Sequence, residues 1–479
     1  MRRMQPDPGP SDSTRWVLAF ATAITAVKAV LSAQLELTSV EAYHWMYAQH
    51  PALGYFDHPA MIGWLVWLST AIFGHSPLGV RMLTLLGGGV GIWLAFLAGR
   101  RLFDDRTGRT AAVLVGVVPA MLGFGVRAQP DAPLLLFWTA TIWALVHALS
   151  GDRAAWWYAA GLFLGLSMLS KYTAIFLPFG VLLFLALSPD HRRWLARPQP
   201  YLACLVALVV FSPTLVWNAQ NGWQSLQYQG LERFGERQHR IAWKEFRDFP
   251  VSQLLLLTPA VCVLTWGLGL RALRRWRTAD WRDRLLAALG VPMLAFFAGM
   301  ILLRTVRGHW PIPGYVSLLI LLAARQDGLW TRRLTLGSAR VLAVLVALAP
   351  VVLAFVPSER LSGWSHLAVR VRALSPDFVL ARDYHDASQL GYLLRTPAAC
   401  DFTAVGRPHK AFRTWWHAED FRGRTAVAVF DEKRWPDGLD LVRASFERVD
   451  EPVVVTVPRF GSRDDCFMLV RATGYRPPP

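Results

Sequence analysis

Between residues 37 and 59 the chain reads LTSVEAYHWMYAQHPALGYFDHP, a polar stretch set between apolar runs. It gathers Glu41, His44, His50, Asp57 and His58 among Tyr43, Trp45, Tyr47, Tyr55 and Phe56, and it holds no Lys or Arg. Carboxylates and imidazoles at this density are the groups that move protons and bind phosphates. Beside a bilayer they are costly to bury, which makes them functional candidates. The competing reading is a solvated aromatic belt at the membrane interface. Further ionisable residues sit at the ends of later apolar runs. GVRAQPDAPLLLFW sets Arg127, Gln129 and Asp131 in a turn, where Asp131 is also a suitable helix N-cap ahead of Pro133. MLSKYTAIF carries Lys171, whose alternative role is to snorkel to the interface. RTVRGHWPIPGY adds Arg304, Arg307 and His309. A carboxylate can take a proton from a hydroxyl nucleophile, and cations stabilise the charge that grows on a departing phosphate.

These groups need a scaffold, and its class follows from composition. The 479-residue chain is 54% hydrophobic with 22 Trp, and its apolar residues come in blocks. That pattern predicts a polytopic α-helical membrane protein. About eleven spans are expected, over residues 16–35, 78–98, 111–126, 132–149, 157–169, 173–187, 201–216, 251–270, 285–303, 311–324 and 341–356. Residues 61–73 are apolar but short, and read as a re-entrant or interfacial helix continuing the polar stretch. The first apolar run lacks a small-residue cleavage pattern and reads as the first span.

The net charge of +17 is carried mainly by Arg in alternate loops. This is the bias of the positive-inside rule rather than a nucleic-acid-binding patch. It places the N-terminus in the cytoplasm. The polar stretch, the loop 218–250 and everything after residue 358 then lie on the extracytoplasmic side. In that loop Arg233, Arg237, Arg240, Lys244 and Arg247 are balanced by Glu232, Glu236, Glu245 and Asp248, which reads as a solvated amphipathic surface helix.

Two domains are expected: a membrane domain over 1–357 and a soluble α/β or α+β domain over 358–479. The second has strand-like runs at 377–381, 426–430, 452–457 and 467–470, and a helical stretch at 387–394. Cys204 and Cys262 read as small hydrophobes within apolar runs. If the C-terminal domain is exported, a disulfide between Cys400 and Cys466 is open to it, though sequence alone does not establish the pairing.

EAYHW, GYFDHPAMIGWL, GVR, PDAPLLLFW, LSKYTA and VWNAQNGW follow one another in this order. In these motifs the chain resembles glycosyltransferase family 39, the dolichyl-phosphate-mannose-protein mannosyltransferase-like family, and within it the bacterial aminoarabinose-transferase-like branch. The resemblance runs from about residue 37 to about residue 313. It implies a GT-C fold and a membrane hexosyl- or pentosyltransferase of the bacterial inner membrane. Such an enzyme moves a sugar, with inversion, from a polyprenyl-phosphate donor to an acceptor lipid, glycan or protein on the extracytoplasmic, periplasmic face. The acceptor is expected in the first extracytoplasmic loop.

In that family an Asp-Glu pair opens the loop and the Asp is the general base; the matching positions here are Val40 and Glu41. With the Asp replaced, the carboxylate candidates are Glu41, then Asp131, then Asp57. His58 falls on the family's phosphate-binding position, which is Lys in the aminoarabinose branch. Arg81, Arg127 and Lys171 are further candidates for the donor phosphate, and Tyr43, Tyr55 and His309 for the acceptor or the pocket. The resemblance implies no catalytic metal and no other cofactor, although oxygen ligands at an interface would suit Mg²⁺ or Mn²⁺. The alternatives are a flippase or transporter of lipid-linked saccharides and a catalytically silent polyprenyl-phosphate-binding homologue. The polar groups cluster at span ends and not mid-span, Lys28 excepted, which favours an enzyme over a transporter.

Overall fold

The computed structural model describes residues 12–151, 153–232, 243–302, 306–356, 363–406, 409–431, 437–457 and 465–478. Arg233, Glu236, Arg237, Arg240 and Arg304 lie outside this set, and of Glu232, Lys244 and Glu245 only the backbone is described. The helices in chain order are α1 Asp12–Gln34, α2 Ser39–Gln49, α3 Met61–Phe73, α4 Pro77–Leu102, α5 Asp105–Val117, α6 Pro119–Val126, α7 Asp131–Ser150 and α8 Ala155–Ser170. They continue with α9 Phe176–Leu187, α10 Gln199–Gln220, α11 Gln224–Gln227, α12 Trp243–Leu257, α13 Pro259–Arg274, α14 Trp281–Met300, α15 Ile312–Ala324 and α16 Leu329–Ala354.

Among the described residues six helices are long and apolar enough to cross a bilayer: α1, α4, α7, α10, α14 and α16. Helices α12 and α13 qualify only together, bent by 102° at a short break. The break is at Thr258, whose φ of 73° is left-handed and which precedes Pro259, so neither residue can continue the helix. The count of about eleven spans is therefore not reached by length: six helices qualify, or up to seven with the bent pair. The expected span 111–126 splits at Pro119 into α5 and α6. The spans at 157–169, 173–187 and 311–324 fall on helices of 10–17 residues, at most about 26 Å at 1.5 Å per residue against a hydrocarbon core of about 30 Å. Their apolarity serves the protein interior: α15 is buried along nearly its whole length.

The chain divides into two compact units. The first is Met1–Val30, His58–Met61 and Leu83–Ala349; the second is Leu31–Asp57, Ile62–Met82 and Pro350–Pro479. The expected boundary at 357/358 is thus not the boundary of compact structure, because the polar stretch and most of α3 group with the C-terminal sheet.

Within the first unit, α8 packs between α7 and α10, and α14 against α9, α13 and α15. The α8–α10 contact is close because Gly161 and Gly165 face it. A Cβ on Gly161 would collide with the Ala203 carbonyl, and one on Gly165 would stand 2.8 Å from the Ala207 carbonyl. Small residues four apart let two apolar helices approach in a membrane. Leu205, Leu208 and Val209 of α10 and Val341, Val344 and Leu345 of α16 point outward, as lipid-facing side chains do.

The C-terminal portion of the second unit holds helices α17 Gly363–Ala373, α18 Tyr384–Leu394, α19 Phe412–Trp415 and α20 Gly438–Ser445. Its strands are β1 Phe378–Ala381, β2 Ala399–Cys400, β3 Ala426–Phe430, β4 Phe446–Val449, β5 Val453–Val457 and β6 Asp465–Tyr475. They form one mixed sheet in the order β2-β1-β3-β6-β4, with β5 also on β6. Strands β1, β2 and β3 run parallel; β6 is antiparallel to β3, and β4 and β5 to β6. Helix α18 is the crossover from β1 to β2. Asp383 caps it by accepting from the His385 and Asp386 amides.

The opposite side of α18 packs on α2. There Gln389 Nε2 donates to the Leu37 carbonyl at 3.0 Å, and Tyr392 OH to the His75 carbonyl at 2.9 Å. This packing joins the polar stretch to the sheet. Cys400 is buried and free, and Cys466 is exposed and free. They sit on β2 and β6 with β1 and β3 between them, a gap of about 14 Å at the usual strand spacing and beyond disulfide reach.

Candidate active site

Thr38 and Glu41 start α2 with a capping box. The Thr38 hydroxyl accepts from the Glu41 amide, and Glu41 Oε2 accepts from the Thr38 amide at 3.0 Å and its hydroxyl at 2.9 Å. Arg81 of α4 closes on the same carboxylate, Nε to Oε1 at 2.6 Å and Nη2 to Oε2 at 2.8 Å. Its remaining N–H groups cover the end of α1: Nη1 donates to the Ser32 and Leu35 carbonyls, each at 2.8 Å, and Nη2 to the Glu36 carbonyl at 2.9 Å. A guanidinium has five N–H donors, and these bonds use all of them. Glu41 is fully buried and Arg81 nearly so. Glu41, the leading candidate base, and Arg81, a candidate phosphate ligand, are thus both engaged in fastening α1, α2 and α4.

Asp57 lies in the same unit, buried at 5% exposure. Its Oδ1 accepts from the Tyr47 hydroxyl and, at 3.3 Å, from Tyr43 OH; Oδ2 stands 3.4 Å from Lys410 Nζ. Lys410 also donates to Tyr384 OH at 2.9 Å. Burial, reinforced by the Asp57 charge, pushes the phenols of Tyr43 and Tyr47 well up, so both stay protonated donors. Tyr55 stacks on Tyr47 with centroids 3.8 Å apart and donates to the Tyr47 carbonyl. Gly63 leaves room for the Tyr55 phenol, which a Cβ there would strike. Trp415 completes the aromatic wall, stacked on His50 at 4.8 Å and edge-on to Tyr47 at 5.5 Å. Burial, with His417 nearby, holds the His50 imidazole at about 4, neutral at physiological pH.

In the first unit, Lys171 ends α8 in an extended conformation, and its Nζ meets Asp131 Oδ1 at 2.7 Å. Both side chains are less than a tenth exposed. The N-cap of α7 is Pro130 and no side chain caps it, so Asp131 is the first helical residue and its carboxylate serves Lys171. Lys171 in turn is buried and paired and does not snorkel. His58 and His309 both lie close enough to act electrostatically on Asp131.

A cavity of about 200 Å³ opens beside this pair, lined by His58, Lys171, Tyr172, Thr173, Ile175, Phe176, Gln229, Phe296, Phe297 and Trp310. Its walls are aromatic and aliphatic, with a cationic end. The buried Thr173 hydroxyl, on that lining, has no hydrogen-bond partner among the described residues. Asn218 of the VWNAQNGW motif steadies the rim: its Nδ2 reaches Tyr172 OH at 3.5 Å, its Oδ1 accepts from the Leu226 amide, and its carbonyl from the Trp223 amide. Tyr172 OH also bonds Ser225 Oγ at 2.8 Å.

The first unit therefore groups Asp131, Lys171, His58 and His309, and the second groups Asp57, Tyr43 and Tyr55. Arg127 is exposed at the end of α6 and does not line the cavity. Sequence reasoning did not nominate Tyr172, Thr173, Gln229 and the aromatic lining, or Lys410, Tyr384 and Trp415. LSKYTA already contained the first two. The run HKAFRTWWH, with its alternating basic and aromatic residues, marked the C-terminal contribution. Among the described residues no group of three or more His, Cys, Asp or Glu could hold a metal ion.

Residues 57–217 match the family model described as dolichyl-phosphate-mannose-protein mannosyltransferase. The chain is 25% identical over 281 residues to the lipid A galacturonosyltransferase RgtD of Rhizobium johnstonii, covering 58% of each protein. It is 29% identical over 316 residues to the undecaprenyl phosphate-alpha-4-amino-4-deoxy-L-arabinose arabinosyl transferase of Pseudomonas aeruginosa, covering 64% of this chain and 55% of that protein. The matches thus span little more than half the length of these relatives. Among solved structures, ArnT from Cupriavidus metallidurans bound to undecaprenyl phosphate aligns with a TM-score of 0.66 at 16% identity, over 97% of this chain and 99% of that one. The archaeal oligosaccharyltransferase AglB from Archaeoglobus fulgidus aligns with a TM-score of 0.51 at 13% identity, over 89% and 70%. The fold is GT-C. The resemblance to glycosyltransferase family 39 holds, and the chain is a multi-pass membrane protein.

Proposed function

We propose that this protein is a membrane glycosyltransferase that moves a sugar from a polyprenyl phosphate to an acceptor hydroxyl or headgroup phosphate. The observation that carries the reading is the cavity with apolar, aromatic walls and the buried Lys171–Asp131 pair at its polar end. A polyprenyl phosphate has the matching polarity, an apolar chain joined to an anion. Lys171 holds the phosphate, His58 assists when protonated, and Asp131 keeps Lys171 charged and aimed. The Thr173 hydroxyl offers the phosphate one more donor. The ArnT structure, bound to undecaprenyl phosphate, supports this donor class. RgtD, a lipid A galacturonosyltransferase, supports an acceptor of the lipid A class.

Asp57 is the base in this reading, since Glu41 is saturated by Arg81 and Thr38 and Asp131 is committed to Lys171. Asp57 takes the proton from the acceptor hydroxyl. The hydroxyl oxygen forms the bond to the anomeric carbon, and the carbon–oxygen bond to phosphate breaks, its electron pair leaving with the phosphate. Attack opposite the leaving group inverts the anomeric carbon. A divalent ion has no step in this scheme, which predicts full activity in a chelator. The Arg-rich alternate loops support a bacterial inner-membrane location with a cytoplasmic N-terminus and a periplasmic C-terminal domain.

The test is transfer by purified protein in lipid nanodiscs, with a labelled polyprenyl-phosphate sugar and a lipid A acceptor. Wild-type transfer that is lost in Lys171→Met and Asp57→Asn supports the reading. Lipid movement across vesicles with no transfer overturns it in favour of a flippase.

A further inference from the structure

The loop before α19 supplies the Asp57 centre with a cation, and it is built to do so. Lys410 Nζ stands 3.4 Å from Asp57 Oδ2, donates to Tyr384 OH at 2.9 Å, and lies 4.1 Å from the centroid of the Tyr384 ring. The residues on either side are pinned. The His409 amide donates to Thr403 Oγ1 at 3.0 Å, and the Ala411 amide to Tyr43 OH at 3.3 Å. Between them Lys410 adopts a φ of 43°. That left-handed conformation is unfavourable for a residue with a Cβ and persists where the surroundings impose it. The side chain is 18% exposed, so the ammonium is largely removed from water without being sealed.

We propose that Lys410, steadied by Tyr384, is the positioning residue that keeps Asp57 ionised and aimed at the acceptor, which makes the C-terminal domain part of the catalytic apparatus. This rests on the reading of Asp57 as base. The groups facing Asp57 are Tyr43 and Tyr47 from α2, Tyr384 and His385 from α18, and His409 and Lys410 from the loop. Burial pushes the phenols of Tyr43 and Tyr47 up and the imidazoles of His385 and His409 down, so at neutral pH these four are uncharged. Lys410, 3.4 Å from Oδ2, is then a charge that offsets the cost of burying an Asp57 carboxylate. It keeps its own protons throughout; the acceptor proton goes to Asp57.

The experiment compares Lys410→Met, Lys410→Arg and Tyr384→Phe with wild type in nanodiscs, measuring transfer rate from pH 5.5 to 9 and donor binding. Without the cation Asp57 binds its proton more tightly, so the acid limb of the profile must move to higher pH. Expected for Lys410→Met are a loss of about 10–100-fold in kcat at pH 7, an upward shift of roughly one pH unit in the acid limb, and donor affinity within about twofold of wild type. Lys410→Arg should restore most of the rate and return the limb, and Tyr384→Phe should give a smaller loss in the same direction. A Lys410→Met enzyme with wild-type rate overturns the proposal. So does a loss with an unmoved limb and no rescue by Arg. Asp57→Asn separates the two readings. Wild-type activity in that variant removes the base itself, whereas an inactive Asp57→Asn beside a normal Lys410→Met removes only the role of Lys410.

Discussion

Arg81 and Glu41 form a two-point bridge, Nε to Oε1 at 2.6 Å and Nη2 to Oε2 at 2.8 Å, with neither side chain more than 2% exposed. A pair so placed has a structural signature. Removing one partner strands a buried charge and costs about 3–5 kcal/mol. Arg81→Met should therefore lower the unfolding midpoint sharply. Glu41→Gln, which keeps the shape but leaves the Arg81 charge unpaired, should likewise destabilise by about 3–5 kcal/mol. Among molecules that remain folded, Glu41→Gln should keep kcat within about threefold of wild type, because the proposed transfer step assigns it no role. Thermal unfolding and kinetics on the same preparation check both halves.

The Lys171–Asp131 pair makes the opposite prediction. Lys171→Met should weaken polyprenyl phosphate binding by about 10-fold or more, and Asp131→Asn should do nearly as much by releasing the ammonium. The double variant should be little worse than either single one, since one interaction is lost once. Titration of undecaprenyl phosphate into the four proteins reads the coupling directly.

Asp401 gives the C-terminal domain a pH dependence. Burial, against the hydrogen bonds from Thr403, raises its carboxyl from 3.8 to about 7. A folded-state pKa above the unfolded one means the folded state holds the proton more tightly. Its contribution is therefore greatest below the unfolded value, falls as pH rises from about 4 to about 7, and is level above that. The full swing is at most about 4 kcal/mol at 1.36 kcal/mol per pH unit. Asp401→Asn, still a good N-cap, should flatten the decline between pH 5 and 7 and raise the unfolding midpoint at pH 8 relative to wild type. Melting curves across that range decide it.

Membrane orientation is open to labelling. Leu53 and Asp420 are exposed in the second unit, and Arg274 is exposed at the end of α13. Leu53→Cys and Asp420→Cys should react with an impermeant thiol reagent in spheroplasts, and Arg274→Cys only after permeabilisation. The reverse pattern would invert the topology.

Much of the scaffold could be read from residue order. Strands β1 and β3 are apolar on both faces, and that continuous hydrophobicity located them. Strands β2 and β4 escaped notice because one has two residues and the other reads FERV. The end of α2 that holds Glu41 was also legible: TSVE has the spacing of a capping box, which points to a structural carboxylate before any catalytic one. Span number was overestimated because apolar runs such as α15 answer to the protein interior as readily as to lipid. Asp131 and Lys171 were each nominated, but their union could not be. Pairing across 40 residues is a property of the folded chain. Lys410 stood further still from its partner, 353 residues along, with no local pattern tying it to Asp57.

That long reach has a consequence for assembly. Leu37 finds its partner Gln389 only 352 residues later. At about 5–20 residues per second of synthesis, that is a wait of roughly 20–70 s. Through that interval the polar stretch stands with its tyrosines and its carboxylate uncovered, and chains cut short before the sheet would keep it so. Quality control that recognises exposed aromatic surface would thus act on incomplete copies, while the finished one hides the signal by folding its own end over its beginning.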